Sequence, residues 1–203
     1  PGLEQRFSLY SSMKLEVFLW ILFILAGFAG SYAAFKLSRF KSPQIPTDDK
    51  PKYPNLKALN WVLAVFLSFT LAILSIGIFA QDVRMPDERF GAVKGQPATM
   101  QIDFAVVSAF IIAGFTIKKV FNVNHIYATV ACTLIVVWSS YLSADKAVMD
   151  YMMQNWPPAF FIRPISAILP LQIVAFAPFG AIIGYWFAVK YNYWQEVERK
   201  SKI

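Results

Sequence analysis

Five long stretches of this chain contain no charged residue, and this spacing constrains the fold more than any other feature of the sequence. The stretches are residues 17–35, 58–81, 104–117, 120–144 and 164–189. Because a charge at the centre of a bilayer costs about 2.5–3.5 kcal/mol on insertion scales, such runs are typical of transmembrane helices. The composition agrees, since 57% of the residues are hydrophobic and only 15% are charged, against ~25% charged residues in a soluble domain. The sequence therefore predicts an all-α fold, a polytopic integral membrane helix bundle.

The stretches predict about five transmembrane helices in one helical domain that covers residues 1–203. The predicted spans lie at about residues 17–35, 58–81, 98–117, 123–143 and 164–189. The third stretch has only 14 uncharged residues, so its helix has to begin before Asp103, near Pro97, which is a favoured first-turn residue. Residues 1–35 could also be interpreted as a signal peptide, but the long apolar run and the basic residues after it favour a retained anchor.

The basic residues are distributed unevenly between alternate loops. Twelve of the 19 lysines and arginines fall on one side of the predicted membrane, and the net charges of the two sides are +8 and −1. The positive-inside rule then places the N-terminus outside and the C-terminus in the cytoplasm or in the equivalent compartment of an organelle. We therefore expect a multi-pass protein of the plasma membrane or of an organelle membrane, surrounded by lipids. Because the basic residues do not form one patch, no nucleic-acid partner is predicted.

Two segments between the spans have a recognisable pattern. Residues 145–156 carry apolar side chains at helical spacing before two prolines, which predicts a short amphipathic helix lying in the membrane interface. Residues 42–55 contain four prolines and are expected to be extended or irregular. This segment is either a linker between helices or a strap that docks on a neighbouring subunit. The segment at residues 82–103 is too short to form a domain.

The sequence lacks the residues that most cofactors and catalytic sites need. It contains one cysteine and one histidine, His125, which excludes a disulfide framework and a metal or haem site built by this chain alone. No nucleophile motif is present either, so catalysis by the isolated chain is not predicted. His125 is interpreted as a satisfied interfacial histidine, with a quinone or shared metal site as the alternative. No cofactor is predicted, although a bound lipid, quinone or pigment would leave no motif.

Two further places are candidates for function. Asp103 is either an intramembrane carboxylate, which by default indicates function, or an acid in the first turn of the third helix that interacts with the helix dipole. In the fifth span, Pro170 and Pro178 are expected to interrupt the helix, and Gln172 places an amide between them. Broken helices form substrate sites in many transporters, whereas proline kinks also occur in purely structural membrane helices.

Small residues on two spans predict close helix packing. Gly27 and Gly30 lie in the first span, and Gly180 and Gly184 form a GxxxG spacing in the fifth. Such positions let two backbones approach closely, either inside the bundle or at a seam between subunits.

Two functional hypotheses follow from these patterns. In the first, the chain is a non-catalytic integral subunit of a larger membrane complex, such as an energy-transducing or oxidoreductase assembly, and its partners are other membrane protein subunits. In the second, it is a small transporter or channel-like carrier for a neutral or apolar solute, with the proline segment and Asp103 along the path.

Overall fold

The described part of the chain is a bundle of helices with a small β-sheet at one end. The computed structural model describes residues 3–37, 57–143 and 145–202, and the proline-rich segment at residues 42–55 lies outside these ranges. The helices within them are α1 (Leu3–Leu37), α2 (Lys57–Phe79), α3 (Thr99–Phe121), α4 (Ile126–Ser143), α5 (Lys146–Asn155) and α6 (Pro170–Ser201). The strands are β1 (Arg84–Asp87), β2 (Gly91–Gly95) and β3 (Phe160–Phe161), and a 3₁₀ helix covers Pro164–Ala167.

The mostly helical fold is confirmed, since helix occupies most of each predicted span. Three helical segments, Ala58–Phe79, Thr99–Phe121 and Pro170–Ser201, are long and apolar enough to cross a membrane. Shorter apolar stretches lie in α1 and α4, at Phe18–Gly27 and Ile126–Ser139. The count of five spans and the orientation of the chain stay predictions.

Helices α3 and α6 form the centre of the bundle and run parallel, because both begin at the end that carries the sheet. Gly180 and Gly184 of α6 are buried against α3. A Cβ added at either glycine would collide with a backbone carbonyl oxygen, that of Val107 at Gly180 and that of Ile111 at Gly184. Gly114 of α3 meets the α6 backbone in the same way. We call this contact of the two backbones the α3–α6 seam.

An apolar core joins the two central helices to α2 and α4. The fully buried side chains include Ile76 in α2, Phe110 in α3, Ile135 in α4 and Ile173 in α6. Helix α1 lies at the edge of the bundle and packs mainly against α4 and α6. Ile24 is the one buried side chain among those described in α1. The described side chains of α1 therefore contribute little to the apolar core.

A three-stranded antiparallel sheet covers one end of the bundle, which we call the sheet end. The all-α prediction is incomplete here, because residues 82–103 contain a β-hairpin. The hairpin closes because Asp87 Oδ1 accepts hydrogen bonds from the backbone N–H groups of Arg89 (3.0 Å) and Phe90 (2.7 Å). Gly91 follows with φ 73°, a left-handed conformation that glycine adopts without steric cost. Strand β3 then adds to β2.

The opposite end of the bundle, which we call the turn end, contains the short connection between α3 and α4. Asn122 ends α3 in the left-handed region with φ 54°, and its N–H donates to the Lys118 carbonyl at 3.0 Å. Asparagine tolerates this conformation better than most residues with a side chain.

Candidate functional site

The structure brings together two of the polar residues that the sequence singles out, Asp103 and Gln172. Asp103 is the fifth residue of α3 and is half-buried, so it lies just beyond the first turn of the helix. The Gln172 amide Nε2 donates a long hydrogen bond to Asp103 Oδ1, at 3.3 Å, and its Oε1 accepts one from the Leu169 backbone N–H at 3.1 Å. One amide therefore connects α3 to α6 and also satisfies a backbone donor at the start of α6.

Pro170 is the first residue of α6, which corrects the prediction that it interrupts a helix. The predicted span at residues 164–189 is instead divided into the 3₁₀ helix at Pro164–Ala167 and α6. Because the first N–H groups of a helix have no intrahelical acceptor, a proline at the first position removes no hydrogen bond. Pro178 does lie inside α6, where its missing N–H removes the helical hydrogen bond to the Val174 carbonyl.

The four predicted packing glycines fall into two different environments. Gly180 and Gly184 lie in the α3–α6 seam, so this GxxxG surface is used within the chain. A Cβ added at Gly27 or Gly30 of α1 would meet no other atom within 4 Å. Among the described residues, close packing is therefore present at the second pair of glycines and not at the first.

His125 lies at the turn end in a packed arrangement with Tyr185 of α6. The two rings meet edge-on with 5.3 Å between their centroids. Lys118, which is only 3% exposed, places its Nζ atom 5.1 Å from the centroid of the same tyrosine ring, a distance that allows a cation–π interaction. From the sequence, Lys118 is identified only as the boundary of a span, and its burial is not predicted. Its position four residues after Gly114 indicates that it lies on the helix face that meets α6.

At the sheet end, Asp87 connects the hairpin to the segment around α5. Its Oδ2 atom accepts hydrogen bonds from Tyr151 Oη at 3.0 Å and from Trp156 Nε1 at 2.7 Å. The Tyr151 ring also meets the Phe90 ring edge-on, with 5.3 Å between centroids. A helix is present at the predicted position as α5, with Asp145 as its N-cap, and the polar atoms of Tyr151 and of the following Trp156 contact the hairpin. Its placement in the membrane interface stays a prediction.

These hydrogen bonds shift two pKa values in opposite directions. Burial alone would raise the pKa of Asp87, but the hydrogen bonds that the carboxylate accepts, the one from the Phe90 N–H first, lower it below its ordinary value of 3.8. Burial raises the pKa of Tyr151 above its ordinary value of 10.0, and the hydrogen bond to Asp87 raises it further. At neutral pH the carboxylate is therefore charged and the phenol protonated, as their hydrogen bond requires.

A pair of like charges lies across the hairpin. Arg84 of β1 faces Lys94 of β2 directly in the strand register. Burial lowers the pKa of Lys94, and the positive charge of Arg84 lowers it further. Because like charges opposite each other destabilise a sheet, this pair opposes formation of the hairpin that the Asp87 hydrogen bonds stabilise.

An open groove of about 670 Å³ lies between α2 and α4. Its lining is entirely apolar or aromatic and runs from Trp61 to Phe69 on α2 and from Tyr127 to Trp138 on α4. Trp61 stacks on Tyr127 at the turn end, and Phe69 meets Trp138 edge-on, each pair with 6.1 Å between ring centroids. Small-molecule sites have volumes of roughly 300–1,000 Å³, so this α2–α4 groove is large enough for a ligand.

A second concavity, of about 440 Å³, adjoins the groove at the sheet end. The two share Val137 and Trp138 as lining residues. Unlike the groove, this sheet-end pocket has polar and charged residues in its lining, namely Asp145, Arg163 and Ser166. None of the residues that the sequence singles out as candidates lines either concavity.

Neither a metal cluster nor a relative provides further information about function. Within residues 3–37, 57–143 and 145–202, no group of three His, Cys, Asp or Glu side chains could hold a metal ion. The single cysteine, Cys132, is buried with its Sγ atom 3.7 Å from the Ile173 carbonyl oxygen. No family model, no curated protein and no solved structure matches the chain.

Proposed function

We propose that the chain is a non-catalytic integral membrane subunit of a multi-subunit membrane complex, in which it holds neighbouring subunits in place. The proposed complex is of the energy-transducing or oxidoreductase kind. The observation that carries this proposal is the exposed apolar surface of α1. Leu15 is 73% exposed, Phe18 63% and Phe23 65%, and the helix is 35 residues long, about 52 Å at ~1.5 Å per residue.

In this proposal all five long helices cross the membrane, including α1 and α4. Helix α4 has 18 residues and is therefore about 27 Å long, close to the ~30 Å of the hydrocarbon core. The sheet end faces the outside and the turn end faces the cytoplasm, as the distribution of lysine and arginine predicts. With α1 in the membrane, its exposed side chains face either lipid or a neighbouring subunit.

The polar contacts between the helices support a scaffold more than a catalyst. The Asp103 carboxylate and the Gln172 amide are engaged with each other across α3 and α6. The buried Lys118 packs over Tyr185. Because these polar side chains contact other helices, we interpret them as contributing to the packing of the bundle.

Gly30 gives this proposal a specific test. A Cβ added there would meet no atom within 4 Å, so Gly30→Leu should leave the fold intact while blocking the close approach of a partner helix. Gly77→Leu is the matched control, because a Cβ at Gly77 also meets no atom within 4 Å but lies on α2. Both variants would be purified from native membranes in mild detergent, and the mass and subunit composition of the product would be measured.

We expect the wild-type chain and Gly77→Leu to co-purify with other polypeptides, and Gly30→Leu to lose at least one of them. Recovery of the wild-type chain as a monomer or homo-oligomer with no other polypeptide would refute the subunit role. If both leucine variants retained every partner equally, α1 would not be the contact surface that we propose.

The alternative function is a small carrier for a neutral or apolar solute, and the α2–α4 groove is the observation that favours it. The groove replaces the path expected from the sequence, because Asp103, Pro170, Gln172 and Pro178 do not line it. Flux of such a solute into proteoliposomes should fall in Leu134→Trp, which fills the groove, and should not change in Asp103→Asn. An unaltered flux in Leu134→Trp would exclude transport through the groove.

A further inference from the structure

The groove and the sheet-end pocket adjoin each other, and we call the two together the cavity, with the apolar groove as its body and the charged pocket as its mouth. Val137 and Trp138 line both parts. At the mouth, Asp145 and Arg163 are both exposed, and no ion pair joins them among the described contacts. One Asp145 oxygen accepts the N-cap hydrogen bond from the Ala147 N–H, which leaves the other carboxylate oxygen available to a ligand.

We propose that this cavity binds one phospholipid with a zwitterionic head group, of the phosphatidylethanolamine type. An acyl chain of the lipid lies in the α2–α4 groove, where every lining side chain is apolar or aromatic. The phosphate pairs with the Arg163 guanidinium, because the planar fork of N–H donors on arginine matches two phosphate oxygens better than the lysine ammonium does. The lipid ammonium pairs with Asp145. A positive and a negative side chain at one mouth match a head group that carries both charges.

The part of the groove near the sheet end can hold an acyl chain of one leaflet. The groove lining on α4 runs from Trp138 to Tyr127 at the turn end, about 16 Å at 1.5 Å per residue. Because α4 covers Ile126–Ser143, its midpoint lies near Leu134, which corresponds to the midplane of the bilayer when the helix crosses it. A lipid whose head group lies at the sheet end would therefore extend its chain along the groove from Trp138 to about Leu134.

The site rests on the membrane placement proposed above but not on the subunit role. Membrane placement can be tested separately, by asking whether the chain stays in the membrane pellet after an alkaline carbonate wash. A chain that stays in the pellet but fails the lipid experiment would refute only the lipid site.

The experiment uses the full chain in detergent after removal of native lipid. Phosphatidylethanolamine with a brominated acyl chain is titrated in, and quenching of tryptophan fluorescence reports binding because Trp138 lines both the groove and the pocket. Phosphatidylglycerol with the same chain, which lacks the ammonium, is the head-group control. Far-UV circular dichroism and elution volume confirm that each variant is folded.

We expect phosphatidylethanolamine to bind about fivefold more tightly than phosphatidylglycerol, the size expected from one partly exposed charge pair. Asp145→Asn should abolish this preference, since asparagine keeps the N-cap but loses the charge. Arg163→Gln should weaken both lipids about fivefold, while Arg84→Gln, which changes an arginine outside the pocket lining, should weaken neither.

The position of the acyl chain is tested by a pair of tryptophan substitutions. Leu134 lines the groove and is 46% exposed, whereas Ile182 is 40% exposed on α6 and does not line it. Leu134→Trp should weaken binding about tenfold by filling the groove, and Ile182→Trp should not. Equal losses in both variants would place the chain elsewhere and overturn the proposal. A neutral isoprenoid quinone that bound equally well and ignored both charge substitutions would also overturn it.

Discussion

The α3–α6 seam leads to a quantitative prediction for Gly184→Ala. An added Cβ would lie 2.8 Å from the carbonyl carbon of Ile111 and 2.9 Å from its Cα, whereas ordinary carbon contacts begin at about 3.5 Å. Because the obstacle is backbone and not a flexible side chain, and the Ile111 carbonyl oxygen lies closer still, α3 and α6 have to separate by more than about 0.7 Å. Overpacking of this kind costs about 1–3 kcal/mol, and the better helix propensity of alanine offsets up to ~1 kcal/mol. We expect a net destabilisation of about 1–2 kcal/mol.

The assay is reversible unfolding of the purified chain in detergent, followed by far-UV circular dichroism. Gly77→Ala is the control, because it makes the same chemical change in α2 at a position where a Cβ meets no atom within 4 Å. The control should be neutral or stabilised by up to ~1 kcal/mol. If Gly184→Ala and Gly77→Ala had the same free energy of unfolding, the backbones of α3 and α6 would not be in contact and the reasoning would be wrong.

Three further predictions concern the sheet end. Because its folded pKa is lowered, Asp87 contributes stability above its ordinary pKa of 3.8 that is lost as the pH falls through the lower folded value; the protection factors of the hairpin amides in hydrogen exchange should therefore fall there, and protection factors that do not change would contradict the assignment. Arg84→Glu should replace a like-charged pair with an ion pair to Lys94 and stabilise the hairpin by about 0.2–1 kcal/mol, with the pKa of Lys94 rising in an NMR titration; a Lys94 pKa that did not change from the wild-type value would argue against the pairing. Gln172→Leu should lower the free energy of unfolding by about 1 kcal/mol, and Asp103→Asn, which keeps an acceptor oxygen, should lower it by less; the reverse order would refute the hydrogen bond between them.

The positions of the helices could be predicted from the sequence because the exclusion of charge from an apolar span is a local property. Each of the five charge-free stretches overlaps one of the long helices. The attachment of the hairpin to the α5 segment could not be predicted in the same way. The turn itself is local, since Asp87 bonds to Arg89 and Phe90, but the partners Tyr151 and Trp156 lie 64 and 69 residues further along the chain, and no local pattern connects positions so far apart.

The candidate residues were only partly predictable for a related reason. Asp103 and Gln172 stand out in the sequence because they are polar groups near or inside apolar stretches, yet nothing in the sequence indicates that they contact each other. The prediction for Pro170 is wrong because a 3₁₀ helix at Pro164–Ala167 precedes it, so that the uncharged stretch begins before the helix does. The GxxxG spacing at Gly180 predicts close packing, but a spacing of small residues does not identify the helix that packs against it.

The long sequence separations at the sheet end have a consequence for biosynthesis. Gln172 is translated 69 residues after its partner Asp103, a delay of about 3–14 s at ~5–20 residues per second. Tyr151 and Trp156, the side-chain partners of Asp87, are also translated between Asp103 and Gln172. On a ribosome-bound chain that has completed α3, the face of α3 that carries Gly114 therefore has no α6 to pack against. A nascent chain truncated before residue 170 should be the form that insertion factors capture, or membrane proteases degrade, most readily.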